Sequence, residues 1–114
     1  MSPEAQRIAI AEACGWRAIA LVAGFGEPRK FPRGVPPGKD PRYWPSEQIP
    51  DYLNDLNAMH EAQLSLGGEF TIPPNGEWAI YFDNLTTIAA RDDCLTCCLT
   101  AAQRAEAFLR TIGK

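Results

Sequence analysis

The sequence has few of the features that enzymes and duplex-binding proteins use. It contains a single histidine, His60, and no GxSxG, HExxH, Walker or protein-kinase signature. Lys and Arg number 11 against 14 Asp and Glu, which gives a net charge of −3. A duplex-DNA reader is expected to carry a broad basic face instead. We therefore expect a protein that is not an enzyme, that binds no duplex nucleic acid, and that needs no cofactor or metal.

A long hydrophobic run is also absent. No apolar stretch approaches the roughly 18 residues of a membrane span, and Glu4 and Glu12 interrupt the N-terminal segment in a way unlike a secretory signal peptide. With 114 residues, 46% of them hydrophobic and 22% charged, the composition is typical of one globular domain, residues 1–114. We expect a cytoplasmic protein with no membrane partner.

Soft metal ligands are scarce. The four cysteines, Cys14, Cys94, Cys97 and Cys98, are expected to be reduced because no signal peptide directs the chain to an oxidising compartment. Cys94 and Cys97 form one CxxC, which could begin a zinc site, but only Cys14 and His60 remain as further ligands and there is no second CxxC. The favoured interpretation is that the thiols fill small apolar positions.

Acidic residues offer a weaker alternative site. Asp51 and Asp55 lie one helical turn apart and could hold a divalent cation together with Glu47. Acids in a first helical turn are more often partners of the helix dipole. His60 is likewise interpreted as a packed or rim residue of its helix rather than as a ligand or base.

Proline, in contrast, is concentrated in one segment. Gly24–Pro50 holds seven of the ten prolines and five of the eleven basic residues. Proline fixes φ and removes a backbone donor, so this segment is predicted to be a long loop, without a helix or an interior strand. Long loops in small domains are commonly functional or disordered, which makes this loop the candidate site.

The loop combines cations with aromatic rings. Cations can bind phosphate oxygens and rings can stack on a base, and the pair Gly24 and Gly26 lets the backbone approach a ligand closely. The candidate ligand-binding residues are Phe25, Arg29, Lys30, Phe31, Arg33, Arg42, Tyr43 and Trp44. A local basic patch suits a compact anion better than a polymer. The alternative is a solvated loop whose aromatic residues attach it to the domain.

The N-terminal half otherwise shows clear element signals. Ser2 as N-cap, Pro3 at the first position and Gly15 beyond the end predict a helix over Pro3–Cys14. The apolar run Trp16–Ala23 predicts a strand. A second helix is predicted from near Pro50 to before Gly67, with an apolar stripe. That stripe comprises Leu53, Leu56, Met59 or His60, and Leu64.

The C-terminal half predicts a β-meander and a last helix. Strands Glu69–Ile72 and Glu77–Asp83 are predicted around a turn at Asn75-Gly76, followed by a third strand, Thr86–Ala90. The capping-box pattern at Thr100 predicts a helix that runs to Ile112 and stops at Gly113. The residues between, Arg91–Leu99, fit a strand, a short helix or a loop. About three helices and a mostly antiparallel sheet of about four strands make the fold class α+β.

Three blocks of sequence carry a resemblance. They are RIAIAEACGW (Arg7 to Trp16), IPDYLNDLNAMHEA (Ile49 to Ala62) and TAAQRAEAFLRTIGK (Thr100 to Lys114). Together, in this order, they resemble the phage ABA sandwich domain proteins, a family of small phage and prophage proteins. The resemblance implies an α/β/α-type sandwich and a viral origin, and it brings no catalytic signature. The proline-rich insert and the cysteine-rich segment Cys94–Cys98 depart from the commoner members.

The function hypothesis combines the resemblance with the loop. We expect a phage-encoded, non-catalytic protein that sequesters a small anionic nucleotide, as phage sponges do with the cyclic-nucleotide signals of bacterial immunity, in the form of a homo-oligomer in the host cytoplasm. One alternative is a phage protein that binds and inhibits a host immune protein directly through the proline loop. Another is a phosphodiesterase that degrades such nucleotides and depends on His60.

Overall fold

The computed structural model describes residues 2–23, 30–67 and 74–114. Two compact units make up the chain, Met1–Pro50 and Asp51–Lys114. The first contains α1 (Pro3–Ala13) and the strands β1 (Arg17–Ala23), β2 (Lys30–Val35) and β3 (Glu47–Gln48). The second contains α2 (Leu56–Gln63), α3 (Gly76–Arg91), a 3-10 turn (Thr96–Cys98) and α4 (Ala101–Thr111). The predicted α+β class is confirmed.

The counts of elements differ from the prediction. Over the described ranges the chain has four α-helices and one antiparallel sheet of three strands in the order β1-β2-β3, instead of about three helices and four strands. The predicted strand Glu69–Ile72 lies outside the described residues. None of the helices formed by the described residues is long and apolar enough to cross a bilayer.

The first helix forms where its local signals place it. The Ser2 hydroxyl accepts a hydrogen bond from the Ala5 amide at 3.1 Å, which satisfies one of the four amides that a helix start leaves unpaired. Pro3 occupies the first turn, and Gly15, with a φ of +99°, follows the helix end. Ile10 is fully buried. The helix and the strand after it, β1, are confirmed to within a residue of the predicted bounds.

The prediction that Gly24–Pro50 is a loop without a helix or an interior strand is wrong for two stretches, since β2 and β3 both lie within it. Pro32 lies in β2, the central strand, with its side chain fully buried. Its carbonyl accepts the Ile49 amide at 3.1 Å. In an antiparallel pair the two residues normally exchange two hydrogen bonds, and Pro32 has no N–H for the second.

Arg7 supplies the missing donor. Its guanidinium donates to the Ile49 carbonyl, the group that a non-proline residue at position 32 would have bonded, and its Nε donates to the Pro50 carbonyl at 2.9 Å. Ile49 is fully buried, so an unpaired carbonyl there would be costly. A side chain on α1 thus makes a proline acceptable in the middle of the sheet.

A bulge interrupts β1 opposite β2. The register is irregular between Arg17 and Ala20, and Ala18 has a φ of 52°, in the left-handed region. Gly34 faces this irregularity, and a Cβ on it would lie 3.0 Å from the Arg17 carbonyl oxygen and 3.1 Å from Ile19 Cγ1. Glycine at position 34 therefore lets the two strands approach at the bulge, which sets the position of Arg17.

The predicted strands Glu77–Asp83 and Thr86–Ala90 are wrong, because residues Gly76–Arg91 form α3, the longest helix in the described residues. Its buried positions are Trp78, Tyr81, Leu85, Ile88 and Ala89, which recur at helical spacings. Trp78, Ile80 and Phe82 alternate along the sequence and would share one face of a strand, yet the Ile80 side chain is 51% exposed. The β-propensity of the aromatic and branched residues is overridden by the burial of one helical face.

The second helix starts later than predicted. Asp55 is its N-cap, and the carboxylate accepts the amides of Asn57 and Ala58 at 3.0 and 3.2 Å. The helix buries Ala58, Met59 and Ala62. The predicted apolar stripe is wrong at Leu56 and Leu64, which are 41% and 73% exposed. Of the three acids that the sequence offered as a cation site, Asp55 is thus the cap, Asp51 lies in the preceding turn, and Glu47 lies in β3.

The last helix has the predicted capping box. The Thr100 hydroxyl accepts the Gln103 amide at 3.2 Å, while the Gln103 side chain accepts the Thr100 amide at 2.8 Å. Ala101, Ala105, Phe108 and Leu109 are buried, whereas Ile112, which the same apolar spacing would place on the buried face, is half-buried. Arg91 joins the end of α3 to α4, with ion pairs to Asp92 at 2.8 Å and to Glu106 at 2.7 Å. The hydrogen bond from Arg91, and to a lesser extent the one from Gln103, lowers the pKa of Asp92 to about 2.

Removing the cap should weaken the C-terminal helix. Thr100→Ala deletes the hydroxyl of the box and leaves the Gln103 amide without its partner, and loss of such a cap costs about 1 kcal/mol. We expect urea denaturation to show a decrease of that size, with the helix start exchanging its amide protons faster. Thr100→Ser, which keeps the hydroxyl, should unfold at the same urea concentration as the parent. Equal stability of the alanine and serine variants would contradict the role of the cap.

Candidate functional site

A tight turn places a lysine at the start of the candidate site. The Lys39 amide donates to the Pro36 carbonyl at 3.2 Å, and Gly38 has a φ of +79°. Pro37 and Gly38 are the residues that a type II turn favours at its two central positions. The sequence Pro-Pro-Gly-Lys therefore folds locally and fixes the backbone of Lys39.

A second turn, organised by Asp40, follows at once. The Asp40 carboxylate accepts a hydrogen bond from the Arg42 amide at 2.9 Å. It accepts two more from the Arg42 guanidinium, from Nε at 3.3 Å and from Nη2 at 3.0 Å. The Asp40 carbonyl accepts the amides of Tyr43 and Trp44 at 3.0 and 2.9 Å. The hydrogen bond from the Arg42 side chain is the main cause that lowers the pKa of Asp40. Local bonds thus give the loop a defined conformation.

These two turns and the β1 bulge form a cleft of about 400 Å³. Its walls are Arg17, Gly38, Lys39, Asp40, Pro41 and Arg42. Three cations face a single carboxylate, so the cleft has an excess of positive charge although the whole chain is acidic. Arg42 is already paired with Asp40, which leaves Arg17 and Lys39 as the cations most available to an anion.

Two aromatic rings lie beside the cleft residues. The Lys39 ammonium is 4.5 Å from the ring centroid of Trp44, and the Arg42 guanidinium is 5.5 Å from that of Tyr43. The Trp44 indole N–H donates to Glu47 at 2.9 Å, which orients the ring. Tyr43 is 80% exposed and Trp44 is 41% exposed. Each ring therefore has a cation nearby and free area to stack on a planar ligand.

The structure brings together only part of the predicted binding set. Arg42, Tyr43 and Trp44 lie together, as described above. Arg33 does not line the cleft, because its guanidinium donates to the Ser46 carbonyl at 2.6 Å and joins β2 to the segment before β3. Phe31 is half-buried in β2, and Lys30 begins that strand. Phe25 and Arg29 lie outside the described residues.

Sequence reasoning missed two cleft residues as binding candidates. Lys39 could have been found from the Pro-Pro-Gly turn signal that precedes it. Arg17 had no comparable signal, since its place depends on the bulge in β1 and on the glycine across from it.

The second unit contains a different cavity, of about 470 Å³, between α3 and its neighbours. Leu64, Trp78, Phe82 and Leu85 supply apolar walls, and Gln63, Tyr81, Thr96 and Arg104 supply polar groups. The Tyr81 hydroxyl donates to the Gln63 amide oxygen at 3.0 Å. The Arg104 Nε is buried without a hydrogen-bond partner in the part of the chain that the structure describes. This cavity could not be predicted while Glu77–Asp83 was interpreted as a strand.

Neither cavity is lined by a histidine or a cysteine from the described ranges. Within residues 2–23, 30–67 and 74–114, no group of three His, Cys, Asp or Glu side chains could hold a metal ion. His60 is exposed in the last turn of α2 and lines neither cavity. Cys14, Cys94 and Cys98 are thiols.

Comparison with known proteins gives no match. No protein-family model matches the chain, and no curated protein or solved structure is significantly similar to it. The resemblance to the phage ABA sandwich proteins therefore rests on the three sequence blocks alone.

Proposed function

We propose that the protein binds a small anionic nucleotide without transforming it, with a phosphate in the cleft beside Arg17 and Lys39 and a base on the exposed rings of Tyr43 and Trp44. The observation that carries the proposal is the excess of positive charge in a cleft whose cations also contact aromatic rings. A nucleotide is the common small ligand that presents both an anion and a planar ring.

The chemistry of the cleft suits a phosphate group. Lys39 presents a compact charge and Arg17 a planar fork of donors, and both form charge-assisted hydrogen bonds with phosphate oxygens. Stacking of a base on an aromatic side chain contributes about 1–3 kcal/mol. The rings are not buried by the chain itself, so this contact is available to a ligand.

The absence of an evident catalytic group near the cleft favours binding over turnover. The cleft residues are cations, a carboxylate already paired with Arg42, a glycine and a proline. The described residues that line the cleft include neither a histidine nor a cysteine, which are the usual nucleophiles or bases at neutral pH. A phosphodiesterase is therefore the less favoured alternative, and it predicts that nucleotide incubated with the protein is degraded in a manner that His60→Ala abolishes.

The wider role belongs to the same proposal. The three sequence blocks support a phage-encoded protein with an α/β/α-type sandwich, acting in the host cytoplasm as a homo-oligomer. A stoichiometric binder of this kind would lower the free concentration of a cyclic-nucleotide signal and so inhibit host immunity.

Single-charge variants test the cleft. We expect Lys39→Gln and Arg17→Gln each to weaken nucleotide binding by roughly tenfold or more, since a charge-assisted hydrogen bond contributes about 1.5–3 kcal/mol. Isothermal titration calorimetry against cyclic di- and trinucleotides and ADP-ribose derivatives measures this. Lys114→Gln and Arg110→Gln remove the same charges elsewhere, on exposed residues, and should bind like the parent. If all four variants bound equally, the cleft would not be the site.

One observation favours a second candidate function. Tyr43, 80% exposed, and Trp44 lie between Pro41 and Pro45, and exposed aromatic residues in a proline-flanked segment are typical contacts for a protein partner. Here the chain would bind a host immune protein directly. A pulldown from host lysate separates the two functions: a polypeptide lost on Tyr43→Ala supports the second, whereas an intact nucleotide in the heat-denatured extract supports the first.

A further inference from the structure

The aromatic cavity of the second unit contains an unusual cation. Arg104, on α4, lies among Trp78, Phe82 and Leu85, and its Nε is buried with no acceptor among the described residues. The other α4 arginine, Arg110, has an ion pair with Glu106 at 3.0 Å. A buried donor of a charged group without an acceptor is costly, and an acceptor brought by a ligand would remove that cost.

We infer that this cavity binds a small amphipathic monoanion, an aromatic carboxylate, with its carboxylate on Arg104 and its ring against Trp78 and Phe82. The volume of about 470 Å³ lies within the range of small-molecule sites. A carboxylate can meet the Nε and one Nη of a guanidinium side-on through two parallel hydrogen bonds. The site differs in position and in chemistry from the cleft in the first unit and does not depend on a nucleotide binding there.

The polar groups that line the cavity favour a ligand with a single negative charge. Among the described residues that line the cavity Arg104 is the only cation, so a ligand with several charges would bring uncompensated ones into it. Burial raises the pKa of the Tyr81 hydroxyl, which keeps this group neutral at physiological pH. The hydroxyl donates to Gln63 and accepts a hydrogen bond from the Arg104 side chain. Tyr81 therefore helps to orient Arg104 and does not repel the anion as a phenolate.

The aromatic walls select the body of the ligand. Trp78 and Phe82 have ring centroids 6.2 Å apart with their planes tilted by 34°, and Tyr81 meets Trp78 edge-on at 5.9 Å. Rings in such offset and edge arrangements contact a further aromatic ring favourably. Leu64, which is 73% exposed, lies where the cavity meets solvent.

The probes are 2-naphthoate and its neutral analogue 2-naphthamide, titrated into the full chain by calorimetry. We expect saturable binding of 2-naphthoate, weakened roughly ten- to a hundredfold by Arg104→Gln, with 2-naphthamide binding weakly and unchanged by the substitution. Arg110→Gln is the matched control and should leave both unchanged. Arg104→Gln removes the hydrogen bond to the Tyr81 hydroxyl but leaves the apolar walls of the cavity in place, so the Gln variant should retain the parent's circular dichroism spectrum.

A second pair of variants keeps the test informative if Arg104→Gln does not fold. Leu64→Glu places a negative charge where the cavity opens, on an exposed residue, and should weaken the binding of 2-naphthoate several-fold. Leu64→Gln, whose side chain has the shape of Glu without the charge, should leave the binding unchanged. Equal affinity for 2-naphthoate and 2-naphthamide, or no binding of 2-naphthoate at millimolar concentration, would overturn the inference. So would a concentration-dependent dimer that Arg104→Gln dissociates, because a second copy would then be the occupant.

Discussion

Phe108→Ala is expected to lower the free energy of unfolding of the second unit by about 3–5 kcal/mol. Phe108 is fully buried on α4, in the unit where Tyr81 and Ile88 of α3 are also buried. Removing the ring deletes buried apolar area and leaves a cavity that the surrounding helices fill only in part. Since small domains are stable by only about 5–15 kcal/mol, this is the largest effect of a single substitution that we predict.

Urea denaturation followed by far-ultraviolet circular dichroism measures the Phe108 effect. Leu95→Ala is the control, because Leu95 is an apolar residue with 69% of its surface exposed, and substitutions at such positions usually change stability by about 0.5 kcal/mol or less. Phe108→Leu, which retains most of the buried volume, should lie between the two. Equal stabilities of Phe108→Ala and Leu95→Ala would show that α4 does not pack as described.

Arg7→Met is expected to lower the free energy of unfolding of the first unit by about 2–4 kcal/mol. Arg7 donates to two carbonyls, those of Ile49 and Pro50, and Ile49 is fully buried. Hydrogen bonds from charged groups contribute about 1.5–3 kcal/mol, and an unsatisfied buried acceptor costs about 1–3 kcal/mol. Because Pro32 has no N–H, the residue paired with Ile49 cannot replace Arg7 as the donor to the Ile49 carbonyl.

Hydrogen exchange gives the Arg7 prediction a specific readout. The Ile49 amide, which donates to the Pro32 carbonyl, should exchange faster in Arg7→Met than in the parent, since β3 is only two residues long. Arg110→Met, on an exposed face of α4, removes an ion pair with Glu106, so it should change stability by only about 0.5 kcal/mol or less and leave the exchange of this amide unchanged. If Arg7→Met left both the unfolding midpoint and the Ile49 exchange rate at parental values, the explanation for a proline in the central strand would be wrong.

The elements predicted correctly are those whose signals are local. Ser2 and Pro3 mark the start of α1, and Thr100 with Gln103 marks the start of α4, because capping depends on residues within one turn. The sequence did not predict β2, because a proline at position 32 fits the central strand only when the Arg7 side chain donates to the Ile49 carbonyl. The hydrogen bond between Arg7 and Pro50 spans 43 residues, and no local pattern carries such information.

The failure at α3 has a different cause. Trp78, Ile80 and Phe82 alternate as in a strand, while Trp78, Tyr81, Leu85 and Ile88 recur as in a helix, and only burial distinguishes the two patterns. The candidate sites follow the same division. Local turns within Gly24–Pro50, the segment that the sequence singled out, set the positions of Lys39, Arg42, Tyr43 and Trp44. The position of Arg17 depends instead on the bulge in β1, and the cavity beside Arg104 depends on α3.

The central claim, that this is a binding protein for a small anionic nucleotide, is tested most directly by calorimetric titration of the full chain with cyclic di- and trinucleotides and ADP-ribose derivatives. The ligand is then recovered by heating and analysed. We predict saturable binding of at least one of these nucleotides, weakened by Lys39→Gln, and its recovery in unaltered form. Absence of binding by every nucleotide in the panel, or recovery of a hydrolysed product, would contradict the claim.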